Sequence, residues 1–415
     1  MRPLFRADAA APEPAPHAGA AVATRDRDRT TLFEIFFDLV FVFALTRVVA
    51  LVEADPEPAS LLRATILLAL LWWAWCAFIW LGNQVRLDRG FVRVGMLVAM
   101  AGLFVVALVI PEAWTRHPGG ANPALVLAAA FAVVRGCYVV LFAVTARGRP
   151  RLRRQLLLDL GPQTVSIGLL VAGALLGDRW QAGLWAAAFV VDFAGGRSAA
   201  RYRGWRVGSP RHFTERHDLV LIIALGETVL ASGARVDPWS ANLSALGVAL
   251  LGFLITASLW WAFFGRLSAD AARALEHADR SAQPSLARDG YTFGHFPLVA
   301  GVVLVAIGST LLLDDVAAAP GEPASALAVA ALGAGIVLYL VGLEIFRWIL
   351  LRDRCGASLA GAGLIVAVMV SSAWYPAWIV PIVVAAITAT TATAVGRRTP
   401  GAGEPLVQHP PAADQ

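Results

Sequence analysis

Two stretches of this chain carry acids where an ionised group is costly to bury. Phe33–Val49 reads FEIFFDLVFVFALTRVV, and Phe213–Val229 reads FTERHDLVLIIALGETV. Glu34 and Asp38 lie four residues apart and therefore share one helix face. Glu215, His217 and Asp218 crowd the entry of the second stretch, and Glu227 lies about three turns deeper at 1.5 Å per residue. A carboxylate inside an apolar span marks a substrate site or proton relay by default, because hydrocarbon cannot solvate it. Some of these residues also have local explanations. Thr31 stands three residues before Glu34, as in a capping box. Glu215 at a helix entry gains from the positive end of the helix dipole. His217 can pass protons near neutral pH, or simply serve as a hydrogen-bonding residue at the interface. Asp38, two turns in, has no such local reason.

Arg135 lies near the middle of another apolar stretch and cannot lose its proton. It needs a carboxylate or a wet cavity, and by depth Glu227 is its expected partner. Asp159, Asp192 and Glu344 lie toward the cytoplasmic ends of their stretches. With Asp38 they are expected to line a carboxylate cavity opening inward, with His295 at similar depth. Arg47 and Arg63 lie toward the outer side, where long side chains reach back to the interface.

The elements that must hold these residues are membrane helices. The 415 residues are 58% hydrophobic and 15% charged, whereas a soluble domain would carry about a quarter charged residues. Stretches of about 20 apolar residues, enough to cross a bilayer core, occur at 32–51, 60–81, 91–110, 124–145, 155–176, 180–196, 217–234, 243–264, 294–313, 325–346, 356–374 and 377–395. Arginines gather in alternate connections: Arg25–Arg29, Arg86–Arg89, Arg147–Arg154, Arg197–Arg211, Arg266–Arg288, Arg347–Arg354 and Arg397–Arg398. The others are acidic or neutral, including Glu53, Glu112, Asp237 and Asp314. By the positive-inside rule both termini are then cytoplasmic. Trp114, Trp180, Trp239, Trp374 and Trp378 fall near the outer ends, as an interfacial belt would. The net charge of +5 is dealt out between apolar stretches, which argues for orientation rather than nucleic-acid binding. No lysine occurs, so all of the basic side-chain charge outside histidine is arginine.

The chain also repeats itself. Setting Asp38 on Asp218 matches Phe33 with Phe213, Leu39 with Leu219 and Ala44 with Ala224. Leu71-Trp72-Trp73-Ala74 answers Leu259-Trp260-Trp261-Ala262. Copies separated by six spans share one orientation, giving two parallel six-helix repeats, an arrangement common among secondary transporters. The expected fold class is therefore all-α transmembrane with about twelve helices. A cytoplasmic tail at 1–30, repeats at 31–196 and 217–395, a basic linker at 197–216 and a tail at 396–415 complete the organisation.

Four ordered blocks make the chain resemble the bacterial low temperature requirement protein A family. They are Glu34–Ala44, Arg211–His217, Ile223–Thr228, and Arg288–Tyr291 with His295–Gly301. The resemblance implies a multi-pass protein of the bacterial inner membrane. It supplies no settled substrate or reaction.

Gly161-Pro162 is expected to interrupt the fifth helix, and Pro297 and Pro381 to disturb the ninth and twelfth. The Trp72-Trp73-Trp75 and Trp260-Trp261 clusters read as lipid-facing or packing bulk, or as a stacking surface. Cys76, Cys137 and Cys355 form no metal or disulfide pattern, and no cofactor or catalytic residue is expected. The leading function is a secondary transporter or permease for an unidentified small solute or ion, proton-coupled through Asp38 and Glu227, with membrane lipid as its surroundings. A lipid-directed membrane enzyme and a structural or sensory protein are the competing classes.

Overall fold

The computed structural model describes residues 30–115, 119–199, 206–234 and 243–397. The two expected tails fall outside these residues apart from Thr30, Gly396 and Arg397, and so do Asp237 and Trp239. Among the described residues the chain is helical throughout. The helices are α1 (Leu32–Ala54), α2 (Pro58–Gly82), α3 (Gly90–Val109), α4 (Pro123–Thr145), α5 (Pro150–Leu176), α6 (Asp178–Ala199) and α7 (Pro210–Ala234). They continue with α8 (Leu243–Phe264), the short α9 (Leu267–His277) and α10 (Gln283–Leu286), then α11 (Phe296–Ala318), α12 (Ala326–Leu351), α13 (Gly356–Ser371) and α14 (Ile379–Arg397). A π-helical turn, Ala287–Phe293, joins α10 to α11.

Local chemistry sets the starts. Pro58, Pro123, Pro150 and Pro210 open their helices, where a missing N–H costs no hydrogen bond. Thr31 and Glu34 form a reciprocal capping box on α1, and Asn122 and Ser325 cap α4 and α12. Pro162 does not interrupt α5, which runs unbroken past it. Gly195 of α6 lies against the Pro162 ring, leaving room for the proline bulge. Pro297 begins α11 and Pro381 sits in the first turn of α14, so each helps start a helix instead of disturbing one.

Ten helices are long and apolar enough to cross a membrane. Helices α6 and α7 are as long but carry more charge, including Asp192 on one and Arg216, Asp218 and Glu227 on the other. The outer surface is apolar: Leu97, Phe104 and Leu108 of α3, Phe253 of α8 and Val370 of α13 are exposed. Polar side chains are inside. Asp38, Arg135, Asp192, Arg216, His217 and His295 are all buried. Apolar side chains facing out along the helix sides, over a charged interior, suit lipid surroundings.

Helix α1 packs on α2 and α3, α3 on α4, α4 on α5, α5 on α6, and α6 back on α2. In the second half α7 packs on α8 and α11, α11 on α12, α12 on α13, α13 on α14, and α14 back on α8. The halves meet where α1 packs on α7 and α11. Helices α2 and α11 form the interior, with 78% and 83% of their apolar windows buried. Trp72 and Trp75 of α2 are accordingly core residues, whereas Trp260 and Trp261 of α8 face outward. Trp180, Trp374 and Trp378 are exposed near helix ends, and Trp114 tucks against Trp185 at 5.0 Å.

The tightest helix contact, α11 on α12, depends on small residues. Gly301 and Gly335 face one another's backbones, and a Cβ on Gly308 would collide with the Leu332 backbone. Gly136 and Gly168 have open space instead. Gly308→Val is therefore expected to destabilise the protein by about 1–3 kcal/mol or more through overpacking. Gly136→Ala should leave the thermal transition in detergent, followed by size-exclusion fluorescence, nearly unchanged; equal transitions for the two variants would contradict this packing.

Candidate functional site

Two buried ionic groups occupy the interior, one on each side of α2. The first lies at the α1–α7 seam. Arg216 grips Asp38 with two donors, Nε to Oδ2 at 2.9 Å and Nη2 to Oδ1 at 2.6 Å. Its third nitrogen, Nη1, lies 3.2 Å from Glu34 Oε1. His212 Nε2 is 3.0 Å from the same Glu34 oxygen, and the Trp75 indole N–H donates to Asp38 Oδ1 at 2.9 Å. Glu34 Oε2 meanwhile accepts the Thr31 backbone N–H at 2.9 Å. One Glu34 carboxylate is therefore both a helix cap and an ion-pair partner. Asp38 and Arg216 are 0% exposed.

Arg216 was not among the expected site residues, since the basic linker was expected to run to 216 and α7 to begin at His217. The helix begins instead at Pro210, with the Ser209 hydroxyl accepting the His212 N–H at 3.2 Å. Ser-Pro ahead of the motif is the start signal that could have revealed this. The extra turns bring His212 and Arg216 opposite Glu34 and Asp38.

Around this clasp stands an aromatic chamber. His217 donates from Nδ1 to the Phe213 carbonyl at 2.9 Å and meets Trp75 edge-on at 5.1 Å. Its ring also faces His295 at 5.4 Å and Tyr291 at 5.3 Å. His217 Nε2 and the Tyr291 hydroxyl have no hydrogen-bond partner among the described residues. Trp72 ties α2 to the π-helical turn by donating to the Thr292 carbonyl at 2.9 Å.

The second ionic group lies between α4, α5 and α6. Arg135, midway along α4, donates from Nη2 to Asp192 Oδ1 at 2.9 Å. This overturns the expected Arg135–Glu227 pair. Glu227 is half-buried on α7 and belongs to neither group. Asp192 wins because α6 packs beside α5 and α4 lies next to α5, whereas α7 packs on α1, α8 and α11. Asp159 of α5 accepts from Gln163 Nε2 at 2.6 Å, and the Arg135 guanidinium stacks over Tyr138 at 5.3 Å.

The remaining expected residues have local roles. Glu215 accepts from Arg211 at 2.9 Å and from the Thr30 N–H at 3.3 Å, tying the start of α1 to α7. Asp218 accepts from Ser268 at 2.7 Å, docking α9. Both Glu344 oxygens accept the Cys355 N–H, at 2.9 and 3.1 Å, capping α13 from α12. Arg63 lies 3.7 Å from Asp55 and over Trp114 at 5.4 Å, at the helix ends.

A cavity of about 1360 Å³ opens beside the second ionic group. Arg135, Tyr138 and Asp159 are at its deep end; Arg206, Pro210 and Glu276–Ser285 surround its mouth. Asp38, Asp192 and Glu344 do not line it, so the expected carboxylate cavity is in fact arginine-rich. Its basic residues are Arg135, Arg151, Arg197, Arg206, Arg280 and Arg288, against Asp159, Glu276 and Asp279.

An apolar helical exterior around paired interior charge defines a polytopic membrane protein. The chain matches the Bacterial low temperature requirement A protein (LtrA) family over residues 29–393 and belongs to that family. It is also similar to a protein of Rhizobium meliloti (strain 1021) described as "Uncharacterized protein RA0937", with 30% identity over 303 residues, covering 69% of this chain and 70% of that protein. No solved structure matches.

Removing one member of a buried pair leaves an uncompensated charge, which costs about 3–5 kcal/mol. Arg216→Gln is expected to lower thermal stability by that order, and adding Glu34→Gln and Asp38→Asn to restore much of it. Melting in detergent of the single and triple variants checks this; a triple variant no better than the single would refute the clasp.

Proposed function

We propose that this protein is a secondary transporter or permease of the bacterial cytoplasmic membrane, with both termini inside. The observation that carries the reading is the polar cavity reaching from a helix-end surface to Arg135, midway along α4. A water-filled access route that stops at a mid-membrane ionic group is what one half-cycle of alternating access requires. Arginine-rich connections surround the cavity mouth, which supports its placement on the cytoplasmic side.

Two parallel six-helix repeats form the scaffold of this reading. Supporting them, every packing relation of α1–α6 given above has a counterpart among α7, α8 and α11–α14. The helices touch near corresponding positions, since the pairs Glu34–His212 and Asp38–Arg216 are each 178 positions apart, against the 180 that sets Asp38 on Asp218. Thr31 and Ser209, which cap the two helices, are spaced alike. Contacts this close to the matched register, two residues out of it, are what an axis along the membrane normal near the seam would bring together.

Glu34 and Asp38 are assigned to the scaffold on this reading rather than to coupling, because their oxygens are engaged by Arg216, His212, Trp75 and Thr31. The moving charges are those of the second group, where Arg135, Asp159 and Asp192 meet the cavity or its end wall.

Alternating access predicts that a residue in the cavity wall is reached from both faces. Ala77, half-buried on α2, lines the cavity. Ala77→Cys, with Cys76, Cys137 and Cys355 replaced by alanine, should react with a membrane-impermeant maleimide added to either face of oriented vesicles. Modification from one face only would show a static cavity and overturn the transporter reading.

A further inference from the structure

The cavity is more selective than a general polar opening, and its details name a solute. Resting on the transporter reading, we propose that it carries an aromatic carboxylate together with one proton, the carboxylate on Arg135 and the proton on Asp159.

Arg135 is 2% exposed and gives only Nη2 to Asp192. Its other terminal nitrogen, Nη1, is buried with no hydrogen-bond partner among the described residues. An unsatisfied buried donor on a guanidinium is costly, and an incoming carboxylate would satisfy it with a charge-assisted bond. The mouth selects the same sign of charge. Six arginines and three acids line the cavity, and with Asp192 on Arg135 and Asp289 on Arg288 counted a positive excess still remains to attract anions. Arg197 lies over Phe293 at 5.6 Å, which holds its guanidinium beside the cavity, while the charge of Arg288 is compensated by Asp289 at 2.8 Å.

The apolar part of the solute has a flat surface waiting. Trp73 and Phe293 both line the cavity, their rings within 7° of parallel and 6.4 Å apart. Trp80 and Tyr138 add two more aromatic faces. A planar ring can lie along such a wall while its acid group reaches Arg135.

Charge balance then requires the proton. With Asp159 and Asp192 ionised, the deep end holds two negative charges against one positive. A bound carboxylate would add a third in a region where unbalanced charge is expensive. Protonating Asp159 as the anion enters restores the starting balance, and both leave together at the other face. The charged and titratable groups facing Asp159 are Arg135 and Tyr138 from α4 and Asp192 from α6. Arg151 on its own helix lines the same cavity.

A row of buried polar side chains runs from the cavity along α5. Gln155, Asp159, Gln163 and Ser166 are buried and follow one another at helical spacing along one face. Gln155 Oε1, Gln163 Oε1 and Ser166 Oγ have no hydrogen-bond partner among the described residues. At 1.5 Å per residue the row extends about 16 Å, over half of a bilayer core. A row of unsatisfied oxygens suits a file of water molecules, which would conduct protons to and from Asp159.

The test uses the full chain in liposomes with radiolabelled mandelate, an aromatic carboxylate acidic enough to leak little as the neutral form. Protein-free liposomes and the aromatic cation benzamidine serve as controls. An inward proton gradient should drive mandelate accumulation and leave benzamidine at the protein-free level. Arg135→Gln with Asp192→Asn, which neutralises the pair without stranding a charge, should weaken mandelate binding in detergent on the order of tenfold or more. Asp159→Asn should keep binding and mandelate exchange but lose accumulation driven by the gradient. The proposal is overturned if mandelate neither binds nor accumulates, if benzamidine is carried equally, or if Asp159→Asn still accumulates. Co-purified phosphatidylglycerol that mandelate cannot displace would assign the cavity to lipid and overturn it too. Two-sided labelling at Ala77→Cys that persists alongside any of these failures would retire the solute and keep the transporter; one-sided labelling would remove both.

Discussion

Hydrocarbon does not tolerate an uncompensated charge, and the interior of this protein is arranged around that constraint. The α1–α7 seam meets it by placing acids on one helix and bases on the other. Glu34 and Asp38 face His212 and Arg216, so each helix is poorly accommodated in lipid without its counterpart. The consequence is cohesive as well as electrostatic. Two halves whose exteriors are equally apolar gain little from apolar contact in a bilayer, because lipid tails offer the same contact. A bidentate arginine–carboxylate pair, by contrast, has a fixed geometry and register, and it specifies how the halves dock.

Helix α2 divides the seam from the cavity, and its tryptophans face both ways. Trp75 donates to Asp38 on the seam side, while Trp73 lines the cavity. Phe37, next to Asp38, touches Phe78 at 5.4 Å, and Phe78 touches Tyr138 at 5.8 Å, beside Arg135. The two ionic groups are thus joined through packed rings, with no hydrogen-bonded bridge between them among the described residues. This arrangement insulates the seam from water that enters the cavity.

Much of this architecture was legible in the sequence, because membrane helices write themselves as long apolar runs. The expected span 32–51 became Leu32–Ala54, 124–145 became Pro123–Thr145, and 243–264 became Leu243–Phe264. The capping box at Thr31 and Glu34 was equally local and equally readable. What sequence reasoning missed was relational. Arg216 escapes a reading by apolar runs because the basic stretch 197–216 reads as a linker, although Ser209-Pro210 within it is a helix start. Arg135 was given Glu227 on depth alone, whereas lateral neighbours decide partners, and those follow from packing that no local pattern encodes. Pro162 was expected to break α5; the small residue that accommodates it, Gly195, lies on another helix. The dividing line is therefore between features written within one turn and features that need two helices at once.

The contrast between the two ionic groups explains why only one of them suits a transport cycle. All four carboxylate oxygens of Glu34 and Asp38 have partners: Thr31 and the Arg216–His212 pair for the first, Trp75 and Arg216 for the second. A proton delivered to Asp38 would break a bidentate bond and leave Arg216 short of counter-charge in a region closed to water. Arg135 differs in having a spare donor, a second acid close by and a cavity at its side. On the proposed cycle, loss of one negative charge there would be offset by the arrival of another. A transport site needs that kind of exchangeable balance, whereas a seam needs a balance that nothing mobile can enter.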